Sequence, residues 1–467
     1  MSGAPNATRV SRRLNDGTGM NTPHSMRKRP TGVAGAGLPD APELADETLR
    51  DAGIDPDRLS IAYLGNPASI ARAVHAPWAT RLAIGLAIWT TLTLLEANGV
   101  SVPLWVRTPA TLIVGLLILQ VACAALVTAS ERLAARLDWN HYVAGTCAEI
   151  LSTLPELVVI GFLIPVSPLT AFVIALVTIY NNALVFSIYS FFLPKDRYGK
   201  FLMPQPITGA GTQVLIAGAA IGLILGLVMM AMSFSEHPKN AFAAPDLIAV
   251  GVLQLAIFGV YIYKLLHDYA KEEEQVRDVL ELSDEQVETR RALVYAPVHA
   301  SSWSLIAGYL FVGVIGAALG GEQIAEFAHL AIQDLRLNHM VTALTLAGFA
   351  GISEYVILWQ SHRKREYGIA LANSFGGITQ VMFMVLPFTL IAIGVYQLGI
   401  NPGHPELPLL FSFSNMLLLL FLFPMLFVLV ELLREDHTLG LLDTTVMAAI
   451  FLLLIALLLS YGVHPSR

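Results

Sequence analysis

Long apolar runs separated by short polar segments dominate the chain after its first 78 residues. A helix that crosses about 30 Å of hydrocarbon needs about 20 mostly apolar residues. We predict eleven such spans, over residues 80–100, 109–130, 141–164, 168–193, 207–232, 245–266, 297–320, 339–360, 367–394, 408–431 and 440–461. The pattern therefore predicts an all-α polytopic membrane protein with about eleven transmembrane helices. A longer polar segment, GEQIAEFAHLAIQDLRLN at 321–338, is expected to form an interfacial amphipathic helix.

Composition agrees with this class and excludes others. Of the 467 residues, 55% are hydrophobic and 13% charged, and the mean hydropathy of +0.63 lies outside the range of soluble domains. A net charge of -7 gives no basic surface for nucleic acid. The two cysteines, Cys123 and Cys147, lie in apolar runs without zinc spacing or a disulfide framework, so we expect small core residues.

Basic residues in the loops orient the spans, because cytoplasmic loops carry an excess of Lys and Arg. With the N-terminus in the cytoplasm, the inside loops hold Arg132, Arg136, Lys195, Arg197, Lys200, Lys271, Arg277, Arg290, Arg291, Arg363, Lys364, Arg365 and Arg434. The outside loops hold only Arg107, Lys239 and Arg336, with Arg467 at the far end. We therefore expect an integral protein of the cell membrane with a cytoplasmic N-terminus and the C-terminus on the opposite side.

Two spans carry a glutamate inside a run that contains helix breakers. The third span contains STLPELVVIG at 152–161, and the eighth, five spans later, contains GFAGISEYVIL at 348–358. Because the second segment lies five spans after the first, the two segments cross the membrane in opposite directions. In each half an amide follows the glutamate by 26 residues, Asn182 after Glu156 and Gln380 after Glu354. This arrangement is typical of a transporter built from two inverted-topology repeats.

The repeats divide the chain into four parts. We predict a disordered cytoplasmic N-terminal tail over 1–78, because that segment is rich in polar residues, Gly and Pro. One leading helix and the first five-helix repeat occupy 79–266. An acidic cytoplasmic linker follows over 267–296, and the second five-helix repeat occupies 297–467.

These motifs resemble the calcium/cation antiporter superfamily, most closely its calcium/proton exchanger branch. The residues that carry the resemblance are TLPE at 153–156, GISE at 351–354, NN at 181–182 and IALANSFGGITQVMFMVLP at 369–387. One leading helix, two groups of five helices and an acidic segment between them also match that family's layout. A Gly-Ser pair usual in the family is replaced by Val177-Thr178.

The motif residues have the chemistry of a cation site. A Ca²⁺ ion takes six to eight oxygen ligands from carboxylates, carbonyls and water. Glu156 and Glu354 would supply the anionic oxygens, Asn182 and Gln380 the amide oxygens, and Pro155 would release backbone carbonyls from the helix. Lower-ranked hydroxyl ligands are Ser152, Thr153, Ser353 and Thr379. Interhelical hydrogen bonding is the alternative role for both amides.

Proton exchange would follow from charge, because two close carboxylates repel and either Ca²⁺ or protons relieve that repulsion. Glu149, seven residues before Glu156, is a candidate proton relay or an ordinary interfacial acid. We expect a secondary antiporter that exports Ca²⁺ in exchange for protons. A sodium or potassium/proton antiporter is the alternative, and a cation channel or a membrane-embedded enzyme are remote ones.

No enzyme motif such as H-E-x-x-H is found in the sequence. We therefore expect no enzymatic activity and no cofactor apart from the transported cation. The expected partners are the lipid bilayer, cations and protons, and the sequence indicates no oligomeric state.

Overall fold

The computed structural model of the chain is mainly helical. It describes residues 78–137, 147, 150–203, 207–234, 241–279, 302–350, 355, 358–359, 362–363, 367–400, 409–410 and 413–462. The predicted N-terminal tail lies outside these residues, except for Trp78, and so does the predicted linker from residue 280 onward.

The apolar runs form helices because a helix satisfies its own backbone groups where no water is available. In the described residues the helices are α1 Trp78–Ala97, α2 Leu104–Arg136, α3 Leu154–Val166, α4 Pro168–Tyr189, α5 Thr212–Ser233, α6 Ala244–Val279, α7 Trp303–His329, α8 His339–Ala350, α9 Tyr367–Gln380, α10 Leu386–Val395, α11 Phe413–Arg434 and α12 Leu441–Gly462. Short π-helical segments cover Ile207–Gly211, Leu330–Asp334, Val381–Val385 and Tyr396–Ile400, and a 3₁₀ turn covers Ser190–Phe192. Four two-residue strands are β1 Phe201–Leu202, β2 Ala241–Phe242, β3 Leu409–Leu410 and β4 Thr438–Leu439.

Seven stretches of the described chain are long and apolar enough to cross a membrane. They are Leu104–Ser130, Pro168–Phe192, Ile207–Ser233, Ala244–His267, Trp303–Asp334, Asn373–Ile400 and Phe413–Arg434. The helix α1, the shorter apolar helices Ile150–Val166 and Leu441–Leu457, and α8 correspond to the other four predicted spans. The prediction of a polytopic all-α fold with about eleven spans is confirmed.

The seventh span is longer than the sequence predicted. We expected a separate interfacial helix over 321–338, but α7 and its π segment continue without interruption to Asp334. Ile324, Ala325 and Ala328 of this segment are at most 6% exposed, so this part of α7 packs into the bundle. The prediction of an interfacial helix was therefore wrong, because the apolar face of the segment is buried in the bundle.

The sixth span also continues past its predicted end. Helix α6 runs to Val279, well inside the segment that we assigned to the acidic linker. The sequence YAKEEEQVRDV contains no Gly or Pro and is rich in good helix formers, so nothing in it stops the helix.

The four short strands connect the two repeats. β1 lies between α4 and α5 and pairs with β4, between α11 and α12, whereas β2 lies between α5 and α6 and pairs with β3, between α10 and α11. Each antiparallel pair therefore joins a loop of one repeat to a loop of the other. Exchanging the repeats converts one pair into the other, as expected for two inverted copies of one five-helix unit.

Helix packing follows the same symmetry. The first helices of the two repeats, α2 and α7, pack against each other, and so do the fourth helices, α5 and α11. Helix α6 packs against α10, and its counterpart α12 packs against α4. The inverted-repeat architecture predicted from the two motifs is thus present in the fold.

Close crossings between these helices depend on glycine. A Cβ at Gly251 of α6 would lie 2.7 Å from the carbonyl oxygen of Pro387, and one at Gly394 would lie 2.9 Å from that of Ala244. Both distances are too short for a side chain, so the two backbones approach directly. Small residues at such crossings are the usual means of helix association in membranes.

The centre of the bundle is formed by the spans that carry the amide motifs. Pro168–Phe192 and Asn373–Ile400 are each 78% buried, whereas Ala244–His267 is 22% buried. Helix α4 begins where Ser167 caps it, with its hydroxyl accepting a hydrogen bond from the Thr170 N–H at 3.2 Å. The structure thus places the amide-bearing helix of the first repeat in the interior.

Candidate functional site

The helix of the third span is interrupted immediately before Glu156. The N–H of Thr153 bonds to the Ile150 carbonyl at 3.3 Å, and the N–H of Glu156 bonds to the Thr153 carbonyl at 3.1 Å. Pro155 has no N–H to donate to the Leu151 carbonyl. The backbone therefore departs from the regular i to i−4 ladder here, as the proline predicted.

The interruption brings Ser152 and Glu156 to the wall of one cavity. The Ser152 carbonyl accepts a hydrogen bond from the Cys123 thiol of α2 at 3.6 Å. Glu156 lies in the first turn of α3, where the positive end of the helix dipole stabilises a negative charge. The local structure thus favours the ionised carboxylate, which is the form that binds a cation.

Glu156 lines a cavity of about 80 Å³ inside the bundle. The other polar side chains on its wall are Gln120 and Cys123 of α2, Ser152 and Thr178. Apolar residues from α2, α3, α4, α7, α8 and the π segment before α10 complete it. Since a water needs about 10 to 15 Å³ of such space, the cavity is large enough for several waters or a partly hydrated ion.

Asn182 lies one helical turn beyond Thr178 on the same face of α4. Its side chain is only 2% exposed, and neither the oxygen nor the nitrogen of its amide has a hydrogen-bond partner among the described residues. Buried amides are normally bonded, and no described residue bonds this one, so it stays a candidate ligand. Its neighbour Asn181 differs, because it donates to the Tyr355 hydroxyl and, at 3.5 Å, to the Ala347 carbonyl.

In the second repeat, the structure describes two of the four predicted site residues. Thr379 and Gln380 are 2% and 6% exposed at the end of α9, and the Thr379 hydroxyl donates to the Gly376 carbonyl at 2.9 Å. Ser353 and Glu354 lie outside the described residues, as does Glu149 of the first repeat. The pairing of the two glutamates therefore stays a prediction.

The two repeats contact each other just after Gln380. The π-helical segment Val381–Val385 directly follows Gln380, and the sulfur of Met384 lies 3.8 Å from the Thr153 hydroxyl. Val385 also lines the cavity with Glu156. The two motif regions are thus adjacent, although within the described residues there is no cluster of three or more His, Cys, Asp or Glu that would hold a metal by itself.

Sequence reasoning missed part of the cavity wall. Gln120 stands alone as a polar residue in the run LLILQVACAALV. That isolation is the sequence signal that could have identified it. We expected Cys123 to be a small core residue, but it is half-buried and lines the cavity. Thr178, noted only as a departure from the family's Gly-Ser pair, supplies a further hydroxyl there. These contacts join helices that are distant in sequence, which a local motif does not reveal.

Known proteins share the fold of this chain. Residues 301–460 match the family model described as sodium/calcium exchanger protein. A solved structure of the H⁺/Ca²⁺ exchanger CAX aligns with a TM-score of 0.56 and 14% identity over 84% of this chain and 89% of that chain. The structure of native YfkE aligns with a TM-score of 0.53 and 12% identity over 82% of this chain and 99% of that chain. No curated protein sequence matches significantly.

The family match covers the second repeat, whereas the two structures cover most of the chain in fold alone. Sequence over the second repeat and fold over both repeats together confirm the resemblance of this integral membrane protein to the calcium/cation antiporter superfamily.

Proposed function

We propose that the protein is a cation/proton antiporter that exports Ca²⁺ from the cytoplasm. The observation that carries the proposal is Glu156, a carboxylate on the wall of a membrane-embedded cavity beside an interrupted helix. An acid inside a membrane span costs about 2.5 to 3.5 kcal/mol on the insertion scale, so such residues usually serve function. The match of the second repeat to the sodium/calcium exchanger model and the fold shared with CAX support the same reading.

The ligand chemistry suits a hard divalent cation. Glu156 supplies charge, the unpartnered amide of Asn182 supplies a neutral oxygen, and the cavity has room for bound water. Glu354 and Gln380 are proposed as the corresponding ligands of the second repeat. Ser152, Thr153, Ser353 and Thr379 complete the proposed set at lower rank.

Coupling to protons follows from the low polarity of the site. An empty site with two ionised carboxylates is unfavourable, and either one Ca²⁺ or protons neutralise it. Because the two loads exclude each other, the carrier exchanges them. The distribution of basic loop residues supports a cytoplasmic N-terminus.

A monovalent cation/proton antiporter is the second candidate. The family description names sodium as well as calcium, and a monovalent ion is satisfied with fewer oxygen ligands than Ca²⁺. Both functions use the same carboxylates, so only a cation panel separates them.

The test is cation-dependent proton movement in vesicles that contain the purified protein. We expect Ca²⁺ to drive proton release, and Glu156→Gln and Glu354→Gln to abolish it. Glu322→Gln is the matched control, because Glu322 is an exposed glutamate of α7 that does not line the cavity. A response to Na⁺ or K⁺ but not to Ca²⁺ would establish the second candidate, and full activity of both glutamine variants would disprove the site.

A further inference from the structure

Gln120 is a polar side chain in the middle of the span Leu104–Ser130. Burying a primary amide among apolar side chains is unfavourable unless the amide finds hydrogen-bond partners. Gln254 of α6 finds one such partner, because its amide nitrogen donates to the Met382 carbonyl at 3.5 Å, while its amide oxygen has no partner among the described residues. Gln120 has no hydrogen bond to any described residue and instead faces the cavity that Glu156 also lines.

The cavity is shared between two groups of helices. Helices α2 and α7 are in direct contact, since a Cβ at Gly115 would lie 2.9 Å from the side chain of Ile324 and 3.1 Å from the Gly320 carbonyl oxygen. Gln120 and Ile324 line the cavity from this pair, and Glu156 and α4 line it from the interior of the bundle. The amide of Gln120, from the α2–α7 pair, therefore shares this cavity with Glu156.

We propose that Gln120 is a cation-binding residue of this cavity. Its amide oxygen binds the ion, directly or through one water, while the ion occupies the cavity beside Glu156. Gln120 thereby contributes to the affinity for the cation. The inference rests on the proposed cation transport and assigns to α2 a ligand that the repeat motifs do not contain.

Transport kinetics test this role. Gln120→Leu is expected to raise the KM for Ca²⁺ about tenfold with Vmax unchanged, since loss of one neutral ligand costs about as much as a hydrogen bond. Gln120→Asn is expected to restore part of the affinity. Gln213→Leu is the control, because Gln213 is exposed on α5 and bonds to Lys264. An unchanged KM for Gln120→Leu would overturn the proposal.

Chemical protection of Cys123 gives a second measurement that does not need transport. Cys123 lies three positions after Gln120 on the same cavity, and Cys147→Ala leaves it as the sole thiol of the chain. We expect Ca²⁺, Na⁺ or K⁺ to slow its reaction with a small methanethiosulfonate reagent, and Gln120→Leu to raise the protecting concentration about tenfold. Protection without any exchange would refute the proposed function but not the role of Gln120. If Cys123 does not react, or no cation protects it, the role of Gln120 is refuted.

Discussion

The Thr153 hydroxyl lies 3.8 Å from the sulfur of Met384, so the interrupted helix of one repeat contacts the π-helical segment of the other. Thr153 also donates to the Ile150 carbonyl at 2.7 Å, which holds its side chain in place at the break. Met384 is 8% exposed and fills the space between the two motif regions. The contact therefore joins the segment that follows α9 to the break that precedes Glu156.

Met384→Ala is predicted to destabilise the protein by about 2 to 4 kcal/mol, because it leaves a cavity at this contact. Met384→Leu nearly conserves the volume and is predicted to cost less than about 1.5 kcal/mol. Denaturant unfolding of both variants in detergent measures the difference. Equal losses for the two variants would show that the sulfur, rather than the packing, stabilises the contact.

Pro155→Ala is predicted to reduce transport strongly without lowering stability. Alanine supplies the missing N–H to the Leu151 carbonyl and favours a continuous helix, which moves Glu156 from its position on the cavity. Vesicle transport and thermal unfolding measure the two effects. Pro424→Ala in α11 is the control, since it replaces another proline inside a span but does not line the cavity; equal transport by both variants would contradict the role of the break.

The adjacent residues Asn181 and Asn182 are predicted to respond in opposite ways to leucine. Asn181→Leu breaks hydrogen bonds to Tyr355 and Ala347 and is expected to cost about 1 to 3 kcal/mol of stability. Asn182→Leu removes an amide that is unpartnered among the described residues, so it is expected to leave stability unchanged and to raise the KM for the cation. Unfolding and transport of both variants check this, and a destabilised Asn182→Leu would indicate a structural amide.

The ion pair between Lys200 and Asp436 is predicted to contribute stability that is complete above about pH 4 and is lost as the pH falls to about 2. The hydrogen bond from Lys200 lowers the pKa of Asp436 to about 2, and that from the Thr438 hydroxyl adds to the effect. Because the folded pKa lies below the unfolded value of about 3.9, the contribution is complete above the unfolded pKa and is lost as pH falls through the folded one.

The thermal midpoints of the wild type and Asp436→Asn, followed from pH 7 to pH 2, measure this contribution. We expect a small and constant difference down to about pH 4, since the pair is exposed, and a decreasing difference below that. Glu435→Gln, the adjacent acid, is the control and is expected to show no such dependence. A difference that grows as the pH falls would contradict the assignment.

The features that the sequence predicted well are those set by local chemistry. Eleven apolar runs define the spans because the length of a helix in a bilayer depends on its own residues. The break before Glu156 was predictable for the same reason, since proline lacks an N–H wherever it lies. The matched spacing to Asn182 and Gln380 identified the repeats.

The features that were missed depend on contacts between distant segments. The extension of α7 buries Ile324, Ala325 and Ala328, and the polar character of its outer residues concealed this buried face. The π segment at Val381–Val385 has no sequence signal of its own. Gln120 became a candidate only when the fold placed α2 beside Glu156, because its own span contains no other motif residue.

The strand pairs imply that neither half of the chain is complete alone. β1 of the first half finds its partner in β4 of the second, and β2 finds its partner in β3. An isolated half would expose two unsatisfied edges, one on each surface of the bilayer. Covalent linkage of the two halves in one chain keeps both partner strands at hand, so that each loop edge is closed on its own side.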